Sequence, residues 1–551
     1  MRRIRLIILL LFAGLVLTGY VTLRALGVIG GSSLARAQPV PAGDQEIAFI
    51  QAATSGASWE RLIAGIRQVQ GEMPALQVDD RNAFPEQTAA VPEVSLTFPG
   101  CKGRLWIRWY KMTSDAGIRE WVAELARRDP PPLAITGGGS SDRGRDLAEA
   151  LAAQTAWVGK PPLLLHSSAT ADKISVRDEH GPQALTQPLM GLYPERSFRF
   201  CFSDRQMAEA VCDFVWSHGY LWSRDSWLPS LSGALLAAAG DLWGSTGPLA
   251  FGAQLQLPDV RILQWADDPY STDLGDQFSD VLHESVIAGP DSGYQTSEVN
   301  SYTLAYSVGD YDRPNPEEKG GINELVAHMV RQRGKRRLLA LPAAERPMRR
   351  VLRGLTVTAP LEIHDVLAVT GDSLSFNVIY RDRDFAWHIQ DMPVPLVFFC
   401  HQNPVAWPEQ APEQQPGTAR HLPSATDEML LNADMIRILV EAAFVRDGDS
   451  GGPTRLVANA DALAERLRQA RSADGHTPFF STDGNRAGGS GEYVVCLLPH
   501  IVAGRVLPHA TVEVWTRQPA AAGPVRWRLA RTLPVHYADA PRGGGGGHGG
   551  F

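Results

Sequence analysis

From residue 104 onward, short apolar runs alternate with stretches of helical periodicity. Residues 104–110 (RLWIRWY) read as a strand. Residues 116–128 follow with Ile118, Trp121, Val122 and Leu125 on one helical face. The apolar run 132–136 ends in Gly137, Gly138, Gly139, Ser140 and Ser141. Residues 145–153 are again helical, and the run 162–166 ends in Ser167, Ser168, Ala169 and Thr170. Short apolar strands separated by helices of about ten residues predict βαβ units around a buried parallel sheet. The polar turns then fall at the carboxyl ends of the strands, where open α/β sheets bind ligands.

The pattern restarts after a loop at 187–195. Residues 198–202 form a strand candidate and 204–215 a helix, with Ser203 or Asp204 as N-cap. Residues 223–257, rich in Trp, Ser, Gly and Ala, read as an insertion. The strand 260–265 leads through Asp267, Asp268, Pro269 and Tyr270 into a helix reaching about His283. Further strands are expected at 337–341, 363–370, 394–400, 492–498 and 511–516, with helices at 434–445 and 460–470. No clean first strand is evident between Gln45 and Gly71, and no repeat beyond the βα unit is visible. Composition predicts a disordered glycine-rich tail at 541–551.

The chain has 551 residues, enough for three or four domain-sized units, and is 44% hydrophobic and 20% charged. That composition excludes a disordered chain, a fibre and a polytopic membrane protein. Residues 1–37 carry Arg2, Arg3, Arg5, Arg24 and Arg36 and no acid, so the rest holds 47 basic against 60 acidic residues. A body this acidic is repelled by phosphate backbones, which argues against nucleic acid as a partner. The same N-terminal stretch has an uncharged run from Leu6 to Leu23 and a small-residue Ala35-Arg36-Ala37 site. It fits a cleaved secretory signal or an uncleaved anchor in the inner membrane. The positive flank stays cytoplasmic under either reading, which puts the body in the periplasm or on the outer face of that membrane. Cys101, Cys201, Cys212, Cys400 and Cys496 lie far apart with no C-x-x-C pair, so no metal site is expected.

Taken in order, five segments resemble the type I periplasmic binding proteins, the branched-chain amino-acid receptors of ABC importers. They are ITGGGSS at 135–141, SSATAD at 167–172, FRFCFSD at 198–204, DDPY at 267–270 and FSTDGNR at 480–486. The last matches the family's F-D-x-x-G-D-R turn, with Ser481 and Asn485 in place of acids. The resemblance implies an α/β fold of two lobes, parallel sheets flanked by helices, joined by three crossings near Phe200, Pro393 and Phe480. The corresponding division is 1–37 signal or anchor, 38–104 an extension leading into lobe 1, and 105–200 the first part of lobe 1. It continues with 201–392 as lobe 2 bearing the 223–257 insertion, 393–480 the rest of lobe 1, and 481–540 strands returning to lobe 2.

The resemblance also implies a small polar, amino acid-like ligand and an ABC permease or sensor as partner, with no cofactor and no catalysis. Matched position by position, Ser140 or Ser141, Ser168 and Thr170 would donate to a ligand carboxylate from lobe 1. Tyr270 would close on it from lobe 2, and Asp372 would take the ammonium. The same residues also suit helix caps and turns. A lobe pair that docks another envelope protein is the alternative.

GDSGGP at 448–453 spells the nucleophile signature of trypsin-like proteases, with Ser450 as nucleophile. None of the 14 histidines sits in the upstream setting that chemistry needs, and the preceding chain reads as βα units rather than paired barrels. Gly137–Gly139 lacks a P-loop lysine. The acidic loop of Asp310, Asp312, Glu317 and Glu318 does not fit an EF-hand. His401, at a strand's carboxyl end, is placed to reach the cleft or to make a structural hydrogen bond.

Overall fold

The computed structural model describes residues 37–218, 221, 259–287, 299–304, 337–344, 347–348, 351–352, 355, 366–374, 394–404, 427–446, 452–502, 505–518 and 526–536, with breaks at 88–89, 115, 177–184, 267, 473–474 and 490. Residues 1–36 of the signal or anchor, the whole 223–257 insertion, the acidic loop, Ser450 and the glycine-rich tail lie outside them.

The first lobe contains β1 (Gln45–Ala52), α1 (Gly56–Glu72), β2 (Gln77–Asp79), β3 (Glu93–Thr97), β4 (Leu105–Met112), α2 (Ile118–Ala126), β5 (Ala134–Gly137), α3 (Ser141–Ala153), β6 (Leu163–His166), the small hairpin β7 (Lys173–Val176) and β8 (Leu185–Pro188), and β9 (Ser197–Arg199). The second contains α4 (Asp204–Ser217), β10 (Asp259–Trp265), α5 (Pro269–Ile287), β11 (Val299–Leu304), β12 (Arg337–Ala340), β13 (Val366–Val369) and β14 (Leu396–Cys400). The chain then returns to the first lobe with α6 (Asp427–Ala443), the two-stranded β15 (Phe444–Val445) and β16 (Arg455–Leu456), and α7 (Ala460–Arg468). It ends in the second with β17 (Tyr493–Val502), β18 (Arg505–Gln518) and β19 (Arg526–His536).

The first sheet runs β2-β3-β4-β1-β5-β6-β9 and the second β11-β10-β12-β13-β14-β17-β18-β19. Five strands of each are parallel: β4-β1-β5-β6-β9 and β11-β10-β12-β13-β14. Counted within each lobe, both follow the order 2-1-3-4-5, the doubly wound arrangement whose switch point lies beside its first strand. This shared order is an internal repeat that periodicity alone does not reveal. Antiparallel strands extend one edge of each sheet, β2–β3 in the first and β17–β19 in the second.

Alternate side chains of each strand enter opposite cores, as a two-residue period requires. Ile47 and Phe49 face α1, α6 and α7, whereas Ala48 and Ile50 face α2 and α3. Val260 and Ile262 meet α4 and α5, while Leu263 and Trp265 enter the core on the other face. Where α1 meets α6, a Cβ on Gly65 would lie 2.9 Å from the Ala433 backbone nitrogen, so glycine is what permits this close helix crossing.

Two expectations need correction. A first strand does exist in the 45–71 stretch: β1 is central to its sheet, and α1 follows it. Glu46 disguises it, because a strand with a mid-run carboxylate reads as surface. Here Glu46 is buried and bonded to Arg108 and Arg128, each at 2.8 Å, and to the Tyr110 hydroxyl at 3.1 Å. The residues placed in a leading extension therefore supply β1 to β3 of the first sheet. The second crossing, expected near Pro393, follows Cys400 instead. The fully buried β14 pairs with β13 on one side and β17 on the other, which commits it to the second sheet.

Candidate functional site

The carboxyl ends of the two parallel sheets meet across a seam. From the first lobe come the triple-glycine turn after β5 and the 167–173 loop after β6. From the second come the start of α5, the 370–373 turn after β13 and His401 after β14.

The 167–173 loop is fixed by its own lobe. Arg199, 1% exposed, donates to the carbonyls of Thr170 (3.1 Å) and Ala171 (2.7 Å) and pairs with Asp172 at 3.3 Å. The Ala171 N–H donates to the Ser141 hydroxyl at 3.1 Å. From there the loop reaches the other lobe. The N–H groups of Asp172 and Lys173 donate to the Asp273 carboxylate on α5 at 2.7 and 3.1 Å. Asp172 in turn accepts from the Arg205 N–H at 2.7 Å, and the Asp204 N–H donates to the Thr170 carbonyl at 2.9 Å.

At the second-lobe side, Asp372 and His401 are bonded at 2.7 Å, and the other ring nitrogen of His401 accepts the Phe202 N–H at 3.1 Å. That acceptor role places the ring proton on Nε2, which therefore donates to Asp372. Burial pushes the Asp372 carboxyl up, but the hydrogen bond from His401, with Tyr270 beside it, outweighs that and holds the group below its ordinary value. The Tyr270 hydroxyl is buried and makes no well-aligned hydrogen bond, with Asp372 and Ser373 close enough to interact with it and the charge of Asp204 nearby. Burial first, then the charges of Asp372 and Asp204, push that phenol well above its usual value.

The three crossings are clasped together beside this site. The Arg486 guanidinium lies 4.1 Å over the Phe202 ring and donates to the Phe200 carbonyl at 3.0 Å. Phe200 packs edge-on to Phe480, and His401 stacks on Phe202 with 8° between the planes. Residues 200–203, 401–404 and 480–486 thus form one hinge.

Of the residues singled out from sequence, Thr170, Tyr270 and Asp372 lie along this seam. Ser141 is engaged with Ala171. Ser140 precedes α3 without capping it and donates instead to Asp142. Ser168 is half-buried in the turn after β6. Sequence reasoning overlooked Asp204 and Asp273 as seam residues: an acid near the start of a helix is commonplace, and the bonds that join them to the 167–173 loop come from the other lobe. Among the described residues no cluster of His, Cys, Asp and Glu suits a metal ion, and no helix is long and apolar enough to cross a membrane. All five cysteines are free thiols.

No protein-family model matches the chain, and no curated protein matches it. Solved structures with a similar course include an ABC transporter substrate-binding protein from Desulfitobacterium hafniense, at 14% identity and a TM-score of 0.45, covering 84% of this chain and 99% of that one. The C-domain of LpoA from Haemophilus influenzae, a regulator of PBP1A, aligns at 11% identity and 0.35, covering 82% and 96%. The periplasmic component of a sugar ABC transport system from Hahella chejuensis aligns at 11% and 0.29, covering 72% and 93%. Likenesses this distant carry no argument about function. The two-lobed α/β architecture rests on the strand orders and the three crossings.

Proposed function

We propose that the chain is a solute receptor on the outer side of the inner membrane. A small polar ligand enters between the lobes at the carboxyl ends of their parallel strands, and its tighter binding to the closed arrangement shifts the lobes toward it. An ABC permease or a sensor reads that closure. The observation that carries this reading is the Tyr270 hydroxyl, a buried donor and acceptor at the meeting of the two lobes that makes no well-aligned hydrogen bond, with Asp372 and Ser373 as its polar neighbours. Such a group costs about 1–3 kcal/mol left unmatched, and a polar ligand relieves that cost. Ser168, Thr170, Tyr270 and Asp372 are the proposed ligand residues, with Ser140 and Ser141 contributing the turn before α3. An amino acid-like ligand is the first class to test.

The Asp372–His401 pair is not arranged as the acid–base pair of a hydrolase. Both ring nitrogens of His401 are occupied, one by Asp372 and one by the Phe202 N–H, so this Asp–His pair has no nitrogen left to activate a nucleophile. One observation favours docking of an envelope protein as a second reading: the Asp273 and Asp372 carboxylates are already engaged by the chain's own groups.

The test is a thermal-shift screen against amino acids, small organic anions and amides, followed by calorimetry on any compound that raises the melting temperature. Tyr270→Phe then weakens binding by up to about tenfold, the worth of one neutral hydrogen bond. A panel without effect on the melting temperature overturns the receptor reading in favour of docking.

A further inference from the structure

We propose that closure of the two lobes takes up a proton, held between Asp204 and Asp273 at the seam, so that the lobes part as the pH rises. The inference stands on the interlobe bonds alone and does not depend on any ligand.

The two carboxyls differ in what surrounds them. Asp273 accepts two backbone N–H groups from the opposite lobe, at 2.7 Å from Asp172 and 3.1 Å from Lys173. Asp204 is 0% exposed, and neither of its carboxyl oxygens meets an N–H donor. What its carboxyl faces is Asp273, with Thr170 beside it. Two adjoining carboxylates in a dry site cannot both stay ionised, and the one that meets no N–H donor, with only the Thr170 hydroxyl beside it, is the one that keeps the proton. Protonated Asp204 then donates to Asp273, and Asp273 stays an anion for the lobe 1 amides. The proton thereby completes the bonds that join one lobe to the other.

The surrounding charges do not remove the need for it. From the first lobe, Arg199 is committed to Asp172 and to the carbonyls of Thr170 and Ala171. Lys173 presents its backbone N–H to Asp273, and its charge acts on Asp276 of α5. Asp142 of α3 confronts Asp268 at the start of α5, which adds negative charge to the seam. From the second lobe, Asp372 adds another negative charge and His401 is bonded to it, while Tyr270 stays a neutral phenol. Arg205 gives its N–H to Asp172 and its side chain to Glu209. Burial raises both carboxyls; the charge of Asp273 adds to the rise at Asp204, whereas the hydrogen bond from Asp204 and the amides of Asp172 and Lys173 restrain the rise at Asp273.

The sign follows. In the open arrangement both acids meet water and ionise in the ordinary carboxylate range near 4. The closed arrangement keeps one more proton over the interval between that range and the pair's raised value. Across that interval the closed-to-open ratio falls tenfold for each pH unit, and above it the ratio is level.

Hydrogen-exchange mass spectrometry on the full chain without ligand, from pH 5 to 9 and corrected for intrinsic exchange, reads this directly. Protection of the segment carrying the Asp172 and Lys173 amides should fall with rising pH, by up to tenfold per unit, while strands β6 and β10 stay level as internal references. In Asp204→Asn, whose amide donates to Asp273 at every pH, protection of that segment should be flat. Wild-type protection that does not change with pH relative to β6 and β10 overturns the proposal, as does an unaltered slope in the folded variant. Should the variant not fold, the wild-type slope against the two reference strands decides.

Discussion

The His401–Asp372 pair offers a quantitative test of the hinge. In His401→Ala the 2.7 Å bond to Asp372 is lost and the Phe202 N–H, buried against the same ring, has no acceptor. A hydrogen bond to a charged group is worth about 1.5–3 kcal/mol, and a stranded buried donor costs about 1–3 kcal/mol. The single substitution should therefore destabilise the chain by about 3–5 kcal/mol. Asp372→Asn removes only the charge on the acceptor. A double-mutant cycle isolates the pair, since the Phe202 loss cancels in it, and should return a coupling of about 1.5–3 kcal/mol. The assay is urea unfolding followed by circular dichroism at neutral pH on the two single variants and the double. The dependence on acid is also determined. The Asp372 carboxyl lies below its ordinary 3.8 in the folded chain, so the coupling is complete above that value and is lost as pH falls through the folded one. A coupling under about 0.5 kcal/mol at neutral pH, or one that grows as the solution is acidified, refutes the reasoning.

Two more outcomes are expected. Glu46→Ala removes one charge-assisted bond from each of Arg108 and Arg128, both nearly buried, leaving Arg108 with Glu93 and Arg128 with backbone carbonyls, and should cost about 3–5 kcal/mol in urea unfolding. With native protein a maleimide should add one label, at the half-buried Cys101, and with denatured protein five, since Cys201, Cys212, Cys400 and Cys496 are buried; intact mass spectrometry counts them.

Much of the fold was legible because apolar strands and amphipathic helices announce themselves. The runs at 132–136, 162–166, 260–265 and 394–400 all became buried parallel strands, and the helix at 204–215 begins where Ser203 caps it, accepting the Gln206 N–H at 3.4 Å. What was hidden has a common cause. β1 carries Glu46, whose partners lie 62 and 82 residues away, and no local pattern signals that a carboxylate will be matched at that distance. The two-residue alternation of β3 is too short to register, and β19 is an exposed edge strand rich in Arg. At the site, it was the family resemblance that implied Thr170, Tyr270 and Asp372, and the structure sets them along the seam. Yet the partners that define their chemistry belong to the other lobe or another crossing: Asp273 for the 167–173 loop, and His401 for Asp372. Composition gives such residues no distinguishing mark, because their burial is a product of tertiary approach.

The packing of α1 against α6 has a consequence for biosynthesis. The helix that covers the first lobe's central strand on one side is encoded more than 350 residues after it, beyond the whole parallel part of the second lobe. A nascent chain carrying only the first 200 residues leaves uncovered the face of α1 that α6 packs on, where Ala64 meets Met429 and Gly65 meets Ala433. The ribosome must therefore deliver nearly the entire message before the first lobe is sealed, and the two lobes mature almost together. Any chaperone that meets this chain before then has that apolar face to hold.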